Sequence, residues 1–321
     1  MSAVEQSQPQ QQVPCRLYVL LAREAPVGVI FRRGPSKWVQ IIHWDTTNDT
    51  LNPGQWFHGR IYEKRSDLSP DAKLLVYAAR KGIAYPRRDA DSIEAWTAIS
   101  KPPYLTALAL WPCYGSVGGG IFLSDTAVWL NDFADRQPHP DHRPKGLTVS
   151  TDGKHVVEEV VLNRRLERDG WRLVQPWQGA FIENAWWSAY QERRKANSPT
   201  DSDWMRSVAH LDNKSGYVTQ TPSMREKPHP AGGFTLVMTT SKTGYEYHYV
   251  YSVRNGNGQT ESLAGVEWAE WDQQGRLVFA REGKLFAAIF APAGLVDEQE
   301  LSDFNGNKFE ATEAPDWAKV W

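Results

Sequence analysis

Short apolar runs, each opened by a polar turn, recur along the chain and predict a protein built of β-strands. The clearest example is the polar turn at residues 69–73, which leads into the apolar and aromatic run at residues 74–79. Pro70 fixes its own φ angle and Asp71 can bond the backbone two residues on, so this turn is specified locally. An apolar run of this length after a turn is typical of a buried strand.

The same turn and strand return three more times, around Asp152, Gly232 and Asp272. Measured from Asp71, the successive intervals are close to two, two and one units of about 40 residues, a period that is the signature of a β-propeller blade. We therefore predict an all-β fold, a single β-propeller of five blades within a range of five to seven. The alternative is a β-sandwich in which four unrelated hairpin turns look alike.

The segment Ser-Pro-Asp-Ala-Lys-Leu-Leu-Val-Tyr at residues 69–77 resembles the blade motif of Tol-Pal-type and WD-like β-propellers. The resemblance extends to the four repeated turns. It implies a propeller fold and carries no information about a ligand or a reaction.

The domain organisation follows from composition. The Gln-rich residues 1–14 predict a disordered tail, and residues 15–292 predict the propeller. The acidic residues 293–321 end in Trp317 and Trp321 and predict an irregular tail that docks on the propeller.

Individual strands can also be placed. The first four strands are expected at Leu17–Ala22, Val27–Arg32, Trp38–Trp44 and Arg60–Arg65, with a polar loop at Thr46–Gln55. A later strand is expected at Val156–Leu162, with Val157 buried inside a blade. Residues 185–206 interrupt the 40-residue rhythm with a helical composition, so we expect a short helical insertion on the propeller rim.

Charge, cysteine content and hydropathy narrow the function classes. The net charge is −2, which gives no electrostatic reason to expect nucleic acid or an anionic membrane as a partner. The two cysteines, Cys15 and Cys113, do not make a disulfide framework. The chain has no secretory signal pattern and no apolar stretch approaching the roughly 18 residues of a membrane helix, so we predict a cytoplasmic protein.

Few residues suggest a metal site, a catalytic site or a cofactor site. His139 and His142, with Asp141 between them, could hold a divalent metal, but a polar loop of this composition is more often solvated. No Gly-x-Ser-x-Gly, Walker or Cys-x-x-Cys motif occurs. We predict no metal and no cofactor.

Aromatic residues are the strongest candidates for binding. Two groups place Trp beside His or Arg, a combination that suits a ligand platform or an interaction hot spot. They are Trp44, Trp56 and His58 around the first long loop, and Trp186, Trp187 and Arg193 in the insertion. The alternatives are that the first group packs between blades and that the second only caps an open sheet edge.

Together these features favour a binding or scaffold module rather than an enzyme. We expect it to engage a protein partner, or a carbohydrate or another small-molecule ligand, through aromatic-rich rim loops. The alternative is a carbohydrate-active enzyme with carboxylates lining a central funnel. Its candidate carboxylates are Asp45, Asp67, Asp125, Glu183 and Glu267. A third possibility is a structural module without a pocket.

Overall fold

The computed structural model describes residues 13–81, 93–113, 117–182, 185–196, 203, 207, 216–244, 246–291 and 294–321. In this part of the chain, 22 strands form five sheets, accompanied by two short α-helices. The all-β prediction is therefore confirmed at the level of the sheets, and their arrangement as propeller blades stays a prediction. Neither described α-helix has the length and apolar character needed to cross a bilayer.

The chain forms two compact units. Unit 1 comprises residues 1–169 and 265–321, and unit 2 comprises residues 170–264. Unit 1 contains four of the sheets, which we name A, B, C and E in chain order, and unit 2 contains the remaining sheet, D.

The elements follow in chain order. Sheet A contains β1 (Arg16–Leu21), β2 (Val27–Arg33), β3 (Trp38–Asp45) and β4 (Thr50–His58). Sheet B contains β5 (Arg60–Leu68), β6 (Leu75–Arg80), β7 (Ala95–Ser100) and β8 (Ala109–Cys113). Sheet C contains β9 (Gly120–Ser124), β10 (Ala127–Leu130) and β11 (Thr148–Thr151), and helix α1 (Glu158–Arg168) follows it.

Sheet D contains β12 (Arg172–Gln175), β13 (Gln178–Ile182), β14 (Gly216–Thr221), β15 (Ser223–Pro228), β16 (Phe234–Gly244), β17 (Glu246–Asn255) and β18 (Thr260–Leu263). Helix α2 (Ala185–Lys195) lies between β13 and β14. Sheet E contains β19 (Val266–Trp271), β20 (Leu277–Arg281), β21 (Lys284–Ala291) and β22 (Gly294–Asp303), and a short 3₁₀ helix spans Asp316–Ala318.

Sheet A is buried on both faces, which explains its nearly continuous apolar strands. Ile30 and Ile42 share a core cluster with sheet E, whereas Val29 and Phe31 share one with sheet B. Successive side chains of a strand point to opposite faces, so both parities must be apolar when both faces are covered. A third cluster joins sheets B and C around Phe122, and the sheets of unit 1 therefore pack in the order E, A, B, C.

Three of the four repeated turns are hairpins. The turn at Asp71 joins β5 to β6, that at Gly232 joins β15 to β16, and that at Asp272 joins β19 to β20. The Asp71 and Asp272 carboxylates each accept a backbone N–H two residues on, at 3.1 and 3.0 Å. The turn at Asp152 differs because the chain leaves β11 there and enters α1.

The predicted strand at Val156–Leu162 is wrong, since residues 158–168 form α1. Val161, Leu162 and Arg165 are its buried residues, a spacing that matches one face of a helix. Val157 is the N-cap and is 66% exposed, so its predicted burial is also wrong.

Two strands appear where the sequence predicted irregular structure. Strand β4 occupies most of the predicted loop at residues 46–55, and β22 occupies the start of the predicted irregular tail. As a result, the predicted strand at residues 60–65 does not complete the first sheet but begins the second. The insertion helix is confirmed over Ala185–Lys195.

The C-terminal residues belong to unit 1. Ala314 and Ala318 are buried, and Trp321 packs against the cluster shared by sheets B and C. Trp317 is 54% exposed, but its carbonyl oxygen accepts a hydrogen bond from Lys101 Nζ at 3.0 Å. Residues 1–12 of the predicted disordered tail lie outside the described residues.

Candidate functional site

Two pairs of arginines lie at one end of sheets A and B, and the two members of each pair are directly opposite each other on neighbouring strands. Arg16 of β1 lies opposite Arg33 of β2, and Arg60 of β5 lies opposite Arg80 of β6. Like charges directly opposite each other destabilise a pair of strands. An arrangement that lowers stability in this way is typical of a functional surface rather than of a structural one.

These arginines line a cleft of about 840 Å³, which we call the basic cleft. Its lining residues are Val13, Pro14, Arg16, Arg33, Gly34, Pro35, Ser36, Lys37, His58, Gly59, Arg60, Arg80 and Lys81. Six of these thirteen are Lys or Arg, and none of the described lining residues is Asp or Glu. A concave surface lined by one sign of charge concentrates ligands of the opposite sign.

A glycine brings the two sheets together at this cleft. Gly59 is the one residue between β4 and β5. A Cβ atom there would lie 2.5 Å from the carbonyl oxygen of Arg80 and 2.6 Å from the ring of Phe57. Only glycine permits this approach, which places the ends of β4, β5 and β6 around one opening.

Arg33 and Arg60 share the nearby carboxylate of Glu63. Glu63 Oε1 lies 3.7 Å from Arg33 Nη1 and 3.9 Å from Arg60 Nη2, distances that are too long for hydrogen bonds. Arg33 Nη1 is buried and has no hydrogen-bond partner among the described residues. A buried donor without an acceptor is costly, and such a cost is more typical of a functional site than of a structural one.

Four rings form what we call the aromatic cluster: Trp38, Trp56, His58 and Phe309. The ring centroids of Trp38 and Phe309 are stacked at 4.2 Å, those of Trp38 and His58 are 4.8 Å apart, and Trp56 packs edge-on to Trp38 at 6.4 Å. His58 is exposed and also lines the basic cleft, and Phe309 is 52% exposed. The aromatic cluster therefore adjoins the basic cleft through His58.

The structure separates the first group of predicted binding residues. Trp56 and His58 lie together in the aromatic cluster. Trp44 is fully buried between sheets A and E, and its indole Nε1 donates to Asp49 Oδ1 at 3.1 Å. Trp44 is thus a core residue, and its prediction as a ligand contact is wrong because its ring has no exposed surface.

The second group lies in unit 2. Trp186 and Trp187 are in the first turn of α2, and Arg193 is in its last turn. The role of these three residues as an interaction hot spot stays a prediction.

The candidate glycosidase carboxylates are largely engaged inside the protein. Asp67 is buried and receives both Nη atoms of Arg168, the Nη2 bond measuring 2.8 Å. Asp125 Oδ1 accepts the backbone N–H of Asp71 at 2.9 Å. These two carboxylates hold secondary structure together instead of facing a substrate.

The other candidate carboxylates give no stronger indication of catalysis. Asp45 Oδ1 accepts the backbone N–H of Thr47 at 2.8 Å, which is a local turn bond. Partial desolvation raises the pKa of Glu267, although the nearby charge of Arg16 opposes that shift. Glu183 lies outside the described residues.

The loop at residues 139–142, a possible metal site that the sequence favours as a solvated loop, is bonded to sheet B through its backbone. The backbone N–H of His139 donates to the Leu110 carbonyl at 2.7 Å, and the Leu110 N–H donates to the His142 carbonyl at 3.1 Å. The two imidazole centroids are 5.6 Å apart. Within the described ranges no three His, Cys, Asp or Glu residues are grouped so that they could hold a metal ion.

Sequence reasoning missed the basic cleft. Its four arginines are each separated from the next by 17 to 27 positions along the chain, and the net charge of −2 conceals them. The available signal was positional, because each arginine sits at the first or last position of a strand.

Comparisons with known proteins do not assign the chain to a group. No protein-family model matches the chain, and no curated protein matches it. Among solved structures, the crystal structure of the uncharacterized protein lmo1340 from Listeria monocytogenes EGD-e shares 11% sequence identity with it. That match covers 96% of this chain and 88% of the other, at a TM-score of 0.29.

Proposed function

We propose that this protein is a binding module that holds a multiply charged anion in the basic cleft. The observation that carries the proposal is the convergence of six cationic side chains on one opening, with a buried Arg33 Nη1 that lacks an acceptor among the described residues. Charge-assisted hydrogen bonds from guanidinium groups are among the strongest polar contacts in proteins, and their fork geometry suits phosphate and carboxylate.

The proposal includes the propeller architecture predicted from the repeat. Its support is the serial packing of sheets E, A, B and C through shared cores and the hairpin turns at Asp71, Gly232 and Asp272. In this arrangement sheets A and B are neighbouring blades, and the basic cleft opens where they adjoin.

Binding is favoured over glycoside hydrolysis by the composition of the cleft. That reaction needs two carboxyl groups flanking the scissile bond. The described lining residues supply donors and cations but no carboxyl group. The cleft is therefore suited to holding an anion rather than to cleaving a sugar.

Isothermal titration calorimetry with pyrophosphate tests the proposal. The test protein carries Lys37→Ser and Arg60→Ser, because both side chains line the cleft and are substantially exposed, so folding is preserved. The matched control carries Arg143→Ser and Lys145→Ser, which remove the same two charges from an exposed loop. We expect the test variant to bind at least about tenfold more weakly than the parent, and the control to bind like the parent.

The affinity of the parent should also fall as salt is raised, because the interaction is between charges near the surface. Equal affinities for the two double variants would overturn the proposal, as would a parent that does not bind pyrophosphate.

A further inference from the structure

We infer that the ligand of the basic cleft carries a planar ring joined to its anionic group, as in a nucleoside di- or triphosphate. This inference rests on the proposed function and adds the chemical class of the ligand. It starts from the fact that the basic cleft and the aromatic cluster adjoin each other.

His58 belongs both to the basic cleft and to the aromatic cluster. It lines the cleft together with Lys37 and Arg60, and its ring lies 4.8 Å from the ring of Trp38. Because Trp38 is itself stacked on Phe309, the imidazole is backed by a continuous set of rings rather than by solvent. A ligand whose charge is held by the arginines would have its next atoms beside His58.

The size of the cleft also favours a ligand larger than a bare anion. Pockets for small organic ligands have volumes of roughly 300–1,000 Å³. The basic cleft, at about 840 Å³, falls within that range and leaves space beyond a pyrophosphate group. A sugar and a base attached to the phosphates would fill that space.

The chemistry of the exposed rings agrees with a flat partner. Bases stack on aromatic side chains without regard to base identity, because every base has a π-face. His58 is exposed in the basic cleft, and Phe309 is exposed in the adjoining aromatic cluster. We therefore expect the cleft to discriminate only weakly between different bases. We expect it to discriminate clearly between a ligand that carries a base and one that does not.

Titrations with ADP, pyrophosphate and adenosine test this inference. We expect ADP to bind about tenfold more tightly than pyrophosphate, and adenosine to bind more weakly than either. His58→Ser should abolish the advantage of ADP over pyrophosphate, and His58→Phe should restore it, because phenylalanine supplies a ring without a charge. The matched control is His155→Ser, which removes another exposed histidine that lies beside a phenylalanine, Phe133.

The possible results are distinguishable. If pyrophosphate and ADP bind equally well, or if His58→Phe behaves like His58→Ser, the ring contact is wrong while the anion cleft stands. If pyrophosphate binds but adenosine binds as tightly as ADP, the inferred division of the ligand into a charged end and a ring end is overturned. If pyrophosphate does not bind, the proposed function itself fails.

Discussion

Aromatic residues with similar local sequences differ in role, since some pack in the core and others are available for binding. Trp44 lies in β3, a central strand of sheet A, and Trp56 lies in β4, at the edge of that sheet. Both are Trp residues near a His, so their local sequence could not distinguish them. The difference arises from position in the sheet, because Trp44 lies inside a strand that is covered on both faces, whereas Trp56 lies on an edge strand.

Glu63 is the residue that most directly opposes an anionic ligand. Its carboxylate lies 3.7 and 3.9 Å from the guanidinium groups of Arg33 and Arg60, and its side chain is 13% exposed. An incoming anion must share these cations with a negative charge that is already present. Repulsion between two neighbouring anions is on the order of 1 kcal/mol, which is close to the energy of a tenfold change in affinity.

Replacing Glu63 with Gln should therefore strengthen pyrophosphate binding several-fold, because the competing charge is removed while the side-chain volume is kept. The measurement is calorimetry at low salt, where charge interactions are least screened. The control is Glu24→Gln, which removes one negative charge from an exposed turn. Weaker binding by the Glu63 variant would mean that this carboxylate positions the arginines instead of competing with the ligand.

Whole elements show why some strands could be predicted from sequence and others could not. The central strands β2, β3 and β6 carry apolar runs, and their predicted bounds agree with the structure to within one residue. Two strands at positions where the sequence predicted irregular structure, β4 and β22, each lie at the edge of a sheet. Pro53 and the acidic residues Asp297, Glu298 and Glu300 are compatible with an edge strand, since Pro and charge protect an open edge, but they resemble loop signals in sequence.

Helix α1 was mistaken for a strand because a short apolar run fits either structure. The helical signal lay in its charges, with Glu158 and Glu159 in the first turn and Arg165 and Arg168 in the last. The two arginines also give the helix its role. Arg165 donates to the backbone of β5 and to the Tyr18 hydroxyl, and Arg168 donates to Asp67 and to the Phe122 carbonyl. A single helix thereby joins sheets A, B and C.

Val157, at the N-terminus of α1, allows a test in which the sequence-based prediction and the structure give opposite effects on stability. If Val157 were buried in a strand, Val157→Asp would place a charge in the core and severely destabilise the protein. In the structure Val157 is the exposed N-cap and provides no side-chain hydrogen bond to the helix. We therefore expect Val157→Asp to raise the free energy of unfolding by about 0.5–1 kcal/mol, because Asp is a favourable cap.

Urea unfolding of the parent, Val157→Asp and Val157→Ala measures this effect. The alanine variant removes the valine side chain without adding a cap, so it should resemble the parent. A loss of several kcal/mol in the aspartate variant alone would contradict the exposed N-cap.

At the scale of the whole molecule, the beginning of the described chain is joined to its final sheet. Cys15, just before β1, donates its backbone N–H to Asn305 Oδ1 at 2.9 Å, and its thiol donates to the Gly283 carbonyl at 3.7 Å. Phe304 is buried in the cluster that sheets A and E share. Strands distant in sequence thus depend on each other, and this long-range pairing could not be deduced from local patterns.

Unit 1 should open as one cooperative body, and its two buried cysteines can report on this. Cys15 lies at the junction of sheets E and A, and Cys113 ends β8 of sheet B. Burial raises the pKa of both thiols, that of Cys113 to about 12, so neither is reactive in the closed state. Labelling by a thiol reagent must then follow opening of the structure, and its rate reports the open population.

Phe304→Leu loosens only the junction of sheets E and A and should cost about 1–2 kcal/mol. If opening is cooperative, the labelling rates of both cysteines rise together by about tenfold, since 1.4 kcal/mol corresponds to a factor of ten. Mass spectrometry of peptides, with the two sites followed separately, measures each rate. Val174→Ala, at an exposed position of β12 in unit 2, is the control and should leave both rates unchanged. If labelling accelerates at Cys15 while Cys113 keeps its original rate, the sheets of unit 1 open independently, and the serial packing of E, A, B and C does not act as one folding unit.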